Sequence, residues 1–344
     1  MSYPTSATTN YLYSFGFLAG VCLFIQIISG LLISMHYTPH TGLAFLSTEH
    51  IIRDVNFGWL LRYIHSNFAS IFFIVVYVHI LKNLYYGAYS YPRTLIWHIG
   101  VIIYLLMVVI AFTGYVLPWG QMSFWAAMVI TNLFTTIPVV GNDIASWLWG
   151  GFSIDNPTLN RFFSLHFFLP FLLAGLSILH LLILHQSGSS TYLQTYKNSD
   201  EITFYPYFYL KDVFCLLVLV CLATLIIFFM PNIFNHPDNY IPANPLVTPA
   251  QLVPEWYLLP YYAMLRAVPN KLGGLLIMLL SIILLFFVPY EVSTYTKILW
   301  IVDVTLFFLL GVYGGKPVEV PYLEITQLIV FIFLIRPLLI FTIK

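Results

Sequence analysis

Residues 161–188 read RFFSLHFFLPFLLAGLSILHLLILHQSG, an apolar run interrupted by His166, His180 and His185. A stretch this long and this apolar crosses a bilayer as a helix, which takes about 20 residues. Polar side chains at that depth are costly and mark function when they occur. His166 and His180 are fourteen positions apart, which at roughly 100° and 1.5 Å per residue is about 40° short of four turns and roughly 21 Å of rise. Both rings therefore leave one face of the helix, at two depths. A second apolar run, Ile64 to Leu84, repeats the spacing with His65 and His79. Two such helices side by side offer two His–His pairs stacked across a membrane.

Elimination narrows what two imidazoles at one level hold. Zinc wants four ligands at about 2 Å in a tight cage, whereas a flat macrocycle with open axial positions needs one ligand above and one below, so a bis-His haem fits. The competing reading is a bundle-facing histidine that only hydrogen-bonds. His36 and His50 are also fourteen apart, but Thr38-Pro39 and polar residues between them break helical register. The same interval recurs in glycines: Gly16 and Gly30 in the first apolar segment, Gly100 and Gly114 in the third. Glycine admits a close neighbour, either a porphyrin edge at the two histidine levels or simply another helix.

With 60% hydrophobic and 8% charged residues, the chain lies far outside the soluble range and reads as an all-α integral membrane protein. Eight transmembrane helices are expected, roughly over 11–35, 58–85, 95–117, 160–185, 211–230, 271–290, 297–315 and 322–341. The even number puts both termini on one side, while the thirteen Lys and Arg divide almost evenly between the two faces and leave orientation open. The net charge is zero and basic residues form no run, so the partner is a lipid membrane and not a nucleic acid. The first basic residue is Arg53, which gives neither a signal peptide nor an Arg-rich transit peptide, and implies synthesis beside the chain's own membrane, in an organelle or a bacterium. Cys22, Cys215 and Cys221 lie within apolar spans and read as buried hydrophobes. Without C-x-x-C-H, any haem is held non-covalently, and no cysteine cluster can hold an iron–sulfur centre.

In chain order, Tyr37 to Phe57 is expected to be a loop. Arg62, three before His65, and Lys82, three after His79, stand where each can pair with a haem propionate or snorkel to the interface. The segment 118–157 is amphipathic and interrupted by Pro138 and Gly141, so it lies flat on one face and roofs a cavity. A polar connector covers 188–209. Pro231 to Pro254 holds six prolines and cannot be a helix. It leads into Pro254-Glu255-Trp256-Tyr257. A carboxyl among aromatics has a raised pKa through desolvation and can accept a proton from a quinol; a helix-start carboxylate favoured by the dipole is the other reading.

Five stretches together carry a resemblance: GYVLPWGQMSFW (114–125), RFFSLHFFLPF (161–171), HPDNYIPANPL (236–246), PEWY (254–257) and PNKLGG (269–274). Nearly end to end, the chain resembles the mitochondrial-type cytochrome b family of the ubiquinol:cytochrome c reductases, respiratory complex III. The resemblance implies two non-covalent b-type haems in a di-haem four-helix bundle formed by the first four spans. His65 and His166 would ligate the low-potential haem near the positive side, and His79 and His180 the high-potential haem near the matrix. Glu255 with Tyr115, Phe112 and Tyr262 matches the quinol-oxidation pocket, and Ala126 its wall. His185, Ser189, Lys211 and Asp212 match the quinone-reduction pocket at the opposite face. An N-terminal region 1–210, with the amphipathic loop 118–157, and a C-terminal region 211–344, with the Pro-rich and PEWY segment 231–270, are implied. So are the Q cycle with ubiquinone and ubiquinol, a Rieske-type iron–sulfur subunit, a c-type cytochrome subunit, accessory subunits, a homodimeric complex, and the mitochondrial inner membrane, with a bacterial plasma membrane as the alternative. The family's first helix begins on the negative side, which would settle the orientation.

Three departures stand out. About ten residues precede the first span, where the family usually has an amphipathic helix; the connector between spans six and seven is short; and Ala126 stands where the family usually has Gly, so its methyl is expected to crowd methoxyacrylate-type inhibitors while sparing turnover. The chloroplast counterpart is a second redox reading, but it is split into two chains and its second histidine pair is one residue wider. A histidine-relay transporter would need broken spans at mid-membrane, and a purely structural subunit would need neither PEWY nor paired histidines.

Overall fold

The structure, a computed structural model, describes residues 3–190, 201–288 and 293–342, the backbone alone at 294 and 336–342. It is predominantly helical. Six helices, counted among the described residues, are long and apolar enough to cross a membrane: Tyr11–Ser34, Gly58–Tyr85, Thr94–Val116, Asn156–Ser187, Phe204–Phe229 and Tyr295–Gly314. We label the α-helices α1 (Phe15–Ser34), α2 (Ala44–Arg53), α3 (Gly58–Tyr85), α4 (Thr94–Val116), α5 (Gln121–Phe134), α6 (Gly141–Trp149), α7 (Asn156–Ser187), α8 (Phe204–Phe229), α9 (Leu259–Ala267), α10 (Lys271–Ile283), α11 (Thr294–Gly314) and α12 (Tyr322–Thr342). Two apolar stretches expected to span, Lys271–Phe287 and Tyr322–Ile335, are shorter. The chain is a multi-pass membrane protein.

Local chemistry explains most of the boundaries. Asp155 and Thr158 form a reciprocal capping box at the start of α7, with the Asp155 amide donating to the Thr158 hydroxyl at 3.2 Å. The PNKLGG motif starts α10, where the Asn270 side chain accepts from the Gly273 amide at 2.9 Å. Pro170 sits inside α7 without ending it, as neighbouring groups allow in membrane helices.

Two segments depart from the sequence expectation. Tyr37–Phe57 is not wholly a loop, because α2 forms within it. Its Ala44 and Ile51 are buried while Glu49–Arg53 and His50–Asp54 pair at 2.6 and 2.8 Å on the outer face. Ten residues of amphipathic helix are too polar to register as a span, and i,i+4 ion pairs support them at the surface. The second is α9, a nine-residue helix directly after PEWY, which carries no long apolar period yet is buried at Tyr261, Ala263, Met264 and Ala267.

Burial distinguishes the spans. Of its most apolar window, 44% is buried in α3 against 6% in α7, so α3 is the axis of the main core and α7 turns most of its surface outward. In lipid that exposure is not penalised, because acyl chains are as apolar as leucine. The main core joins Leu18, Cys22 and Leu23 of α1, Phe68–Tyr77 of α3, Tyr104 and Met107 of α4, the PEWY turn, α9, and parts of α8, α11 and α12. Polar residues point inward: the Asn67 amide donates to the Tyr63 and Pro231 carbonyls at 2.9 and 3.0 Å, tying α3 to the Pro-rich connector. That connector crosses the start of α5, where the Gln121 amide donates to the Ile241 carbonyl at 2.9 Å and the Ala243 amide to the Trp119 carbonyl at 3.1 Å. At the opposite end, β1 (Pro4–Ser6) pairs antiparallel with β2 (Glu201–Thr203).

Candidate functional site

Each fourteen-spaced glycine lies against one fourteen-spaced histidine. A Cβ added at Gly16 would meet Cε1 of His79 at 3.2 Å, at Gly30 that of His65 at 3.1 Å, at Gly100 that of His180 at 3.4 Å, and at Gly114 that of His166 at 2.3 Å. The pairing runs 16 to 79 and 30 to 65, then 100 to 180 and 114 to 166, so α1 packs antiparallel to α3 and α4 antiparallel to α7. The space each glycine opens is taken by an imidazole ring itself.

The His65 and His166 ring centroids are 6.1 Å apart, with planes at 86°. Two metal–imidazole bonds of about 2 Å each, plus roughly 1 Å from each nitrogen to its ring centre, span about 6 Å, so the pair matches two axial ligands of one iron. The Nδ1 of His166 donates to the Ile110 carbonyl at 2.8 Å, which leaves Nε2 available as a ligand atom. His65 Nδ1 lies 3.0 Å from the Ser29 hydroxyl, whose own proton goes to the Ile25 carbonyl at 2.7 Å. Ser29 is thereby placed to accept from Nδ1–H, and the Gln26 main chain also hydrogen-bonds the His65 ring. Such outer partners fix tautomer and ring orientation at haem and metal sites. Among the described residues no three His, Cys, Asp or Glu converge, which fits a macrocycle better than a metal cage. At the second level, His79 Nε2 is 3.3 Å from the Asn83 amide, and Lys82 and His180 are within electrostatic reach of it.

A cavity of about 230 Å³ opens at the first level, lined by Gly30, His65, Gly114 and His166, by Arg62, and by Tyr115, Glu255 and Tyr257. A smaller one of about 30 Å³ adjoins it, lined by Arg62 and Tyr115 together with Glu49, His236, Asn239 and Tyr240. Burial pushes the Glu255 carboxyl up to about 7, against a smaller lowering by a hydrogen bond from Tyr115. Glu255 also precedes the single helical turn Trp256–Leu258, but its side chain makes no capping hydrogen bond there, and its raised pKa follows the desolvation reading and not the helix-start one.

The other expected residues divide. Tyr262, Phe112 and Ala126 line neither cavity. The Tyr262 hydroxyl donates to the Leu252 carbonyl at 2.9 Å, under the Arg266 guanidinium at 4.4 Å from the ring centre. Phe112 packs edge-on to Phe162, centroids 5.6 Å apart, and Ala126 is half-buried on α5. Lys82 donates to Asn83 at 3.0 Å, with its ammonium 3.5 Å over the Tyr13 ring. Of the four residues expected at the other pocket, His185, Lys211 and Asp212 stand against the N-terminal segment and Ser189 against Arg93. His185 packs on Tyr3 at 5.2 Å between centroids, the Ser189 carbonyl accepts from Arg93 at 2.9 Å, Lys211 donates to the Thr9 carbonyl at 2.9 Å, and the Asp212 carboxyl hydrogen-bonds Ser14. Part of the polar connector beside them, 191–200, lies outside the described residues.

Sequence reasoning missed Tyr257, Ser29 and the Ile110 carbonyl. Tyr257 left a signal as the last residue of PEWY, and Ser29 as the hydroxyl next to Gly30.

Comparison with known proteins follows the same lines. Residues 1–188 match the family model "Cytochrome b/b6/petB" and residues 242–334 "Cytochrome b(C-terminal)/b6/petD". Cytochrome b of Cyanidium caldarium is 52% identical over 343 residues, 97% of this chain and 89% of that one. Cytochrome b of Phytophthora megasperma is 54% identical over 334 residues, covering 94% and 87%. A solved structure titled "Hyperthermophilic respiratory Complex III" superposes with a TM-score of 0.91 at 31% identity, over 99% of this chain and 94% of that one. The family models and the near full-length likeness to curated relatives agree with the imidazole and glycine pairing, and the chain belongs to the cytochrome b family.

Proposed function

We propose that the chain is the haem b-bearing subunit of a quinol:cytochrome c oxidoreductase, respiratory complex III, oxidising ubiquinol near one membrane face and reducing quinone near the other. One observation carries the reading: the His65/His166 pair and the Glu255 carboxyl line the same cavity. We take the six long helices with Lys271–Phe287 and Tyr322–Ile335 as eight spans, α1, α3, α4 and α7 forming a di-haem bundle within region 1–210 and the rest belonging to 211–344. Supporting this, the glycine–histidine pairs join those four helices two by two.

When bound, two b-type haems would supply one-electron carriage across the membrane, the low-potential one held by His65 and His166 and the high-potential one by His79 and His180. The glycines give the rings room, and Ser29 and Ile110 hold Nδ1 so that Nε2 faces inward. Arg62 and Lys82 offer cations to the propionates. Quinol seated beside Glu255 would give one of its two hydroxyl protons to the carboxylate, whose pKa burial raises to about 7 so that it can both take and release it, and the other to the partner that takes its first electron. The quinol's first electron must leave to a Rieske-type iron–sulfur subunit and then to a c-type cytochrome subunit, since this chain has neither cysteine clusters nor C-x-x-C-H. The second would be carried inward by the haems when bound, against a potential that costs up to about 2.3 kcal/mol per 100 mV, and the residues around the two sites would set their potentials apart. At the other face His185, Ser189, Lys211 and Asp212 would bind quinone and supply protons. A homodimeric complex with accessory subunits in the mitochondrial inner membrane, or alternatively a bacterial plasma membrane, completes the proposal.

The test is optical and kinetic. The complex should show a reduced-minus-oxidised b-type band for two haems per chain and reduce cytochrome c with quinol. Glu255 accepts a proton only when ionised, so the rate should rise with pH through about 7 and fall below it, and Glu255→Gln should remove that dependence while slowing turnover. A colourless chain, or a Glu255→Gln variant with an unaltered profile, overturns the reading.

A further inference from the structure

One face of α3 grips the PEWY turn at three points. Ser70, Phe73 and Tyr77 are spaced i, i+3 and i+7, so they share that face. The Trp256 indole donates to the Ser70 hydroxyl at 3.1 Å. The Tyr257 ring stacks on Phe73, with centroids 3.9 Å apart and planes within 2°. The Tyr77 hydroxyl donates to the main-chain carbonyl of Tyr257. A second hydroxyl reaches the same segment one helical turn on, where Tyr104 of α4 donates to Tyr261 at 2.8 Å and lies 3.3 Å from Tyr77. Tyr77, Tyr104, Tyr257 and Tyr261 are all buried. Phenols such as Tyr77, Tyr104 and Tyr261, with their polar atoms in a membrane core, are an expensive way to fill volume, since each hydroxyl needs a partner there. Phenylalanine would pack as well and donate nothing.

We propose that Tyr77 is a positioning residue for quinol oxidation: by holding the Tyr257 carbonyl it sets where the neighbouring Glu255 carboxyl stands in the cavity. The inference rests on the function proposed above for Glu255. The turn Trp256–Leu258 is a single 3-10 turn, too short to hold its own register, and the bond to Tyr77 is the direct tie from α3 to its backbone. Groups facing Glu255 are Tyr115 from α4 and Tyr257 from its own turn, with Arg62 of α3 on the same cavity and Asp238 of the connector within reach of Tyr115. A turn released from α3 lets the carboxyl swing toward the polar annex and water, and its proton affinity falls toward that of an ordinary glutamate.

The experiment uses membranes containing the whole complex, with turnover normalised to haem b content. Tyr77→Phe is expected to lower kcat roughly tenfold, as the loss of one buried hydrogen bond implies, with KM for quinol little changed and the acid limb of the pH profile displaced to lower pH. Tyr104→Phe leaves the Tyr77 donor on the carbonyl and should keep the wild-type midpoint. If Tyr77→Phe fails to assemble haem, Phe73→Leu loosens the same turn from its ring side and should give the same displacement. A Glu255-dependent profile that keeps its midpoint and kcat in whichever of Tyr77→Phe and Phe73→Leu assembles overturns the clamp alone. A displacement as large in Tyr104→Phe overturns it as well, and a profile insensitive to Glu255→Gln overturns both the clamp and the function on which it rests.

Discussion

Replacing Gly114 by alanine gives the sharpest test of the glycine–imidazole pairing. The new methyl would stand 2.3 Å from Cε1, 2.8 Å from Nδ1 and 2.9 Å from Nε2 of His166. The ring must withdraw by about 1 Å to restore ordinary contact, and His166 is not free to do so while its Nδ1 is bonded to Ile110 at 2.8 Å. Overpacking costs about 1–3 kcal/mol and the stretched hydrogen bond about 1 kcal/mol. Alanine returns about 1 kcal/mol of helix propensity. The net loss, about 1–3 kcal/mol, lowers haem affinity at this level by roughly 5- to 150-fold. Gly100→Ala, whose methyl meets His180 at an ordinary 3.4 Å, should be neutral or mildly stabilising by the same reckoning. Gly16→Ala and Gly30→Ala, at 3.2 and 3.1 Å, fall between. Reduced-minus-oxidised spectra of membranes, with haem counted per chain, should show one b-type band diminished in Gly114→Ala and both intact in Gly100→Ala. Full haem content in Gly114→Ala, or an equal deficit in Gly100→Ala, refutes the reasoning.

Three further outcomes are expected. Ser29→Ala removes one hydrogen-bond partner of His65 Nδ1, makes the imidazole less basic, and should raise the midpoint of the haem at that level by about 40 mV, the equivalent of about 1 kcal/mol; redox titration would show an unmoved midpoint if the serine is a bystander. His79→Leu should lose one haem and retain the other, and a spectrum with both would contradict the axial assignment. Arg266 donates to the carbonyls of Tyr313, Gly314 and Lys316 at 3.2, 2.8 and 3.1 Å, so Arg266→Leu unties α9 from the end of α11. About 2–3 kcal/mol of stability should go with it, seen as a thermal midpoint several degrees lower in detergent, and an unchanged midpoint would mean the carbonyls find other donors.

The four histidines and four glycines are legible in the sequence because a helix converts an interval of fourteen into one face at two depths, whatever the helix packs against. Their partners are not. That Gly114 crowds His166 within van der Waals distance while Gly100 leaves His180 room depends on how closely α4 and α7 approach at each level. Ser29 and the Ile110 carbonyl come to the rings from neighbouring helices, and any of several hydroxyls or carbonyls would look as suitable in one dimension. Helix α2 escapes notice because ten amphipathic residues carry too short a period, and α9 because its burial comes from the helices around it.

By itself, the sequence determined that this chain lives in lipid and carries imidazoles at two depths on one face of each of two apolar segments, since apolar length and helical period are properties of a single segment. Only the tertiary structure decided that Glu255 shares a cavity with His65 and His166, that Tyr262, Phe112 and Ala126 stand outside it, and that Tyr77 holds the PEWY turn. Those facts join residues from segments as far apart as α3 and α9, and contacts between distant segments are fixed by packing, which no local pattern encodes.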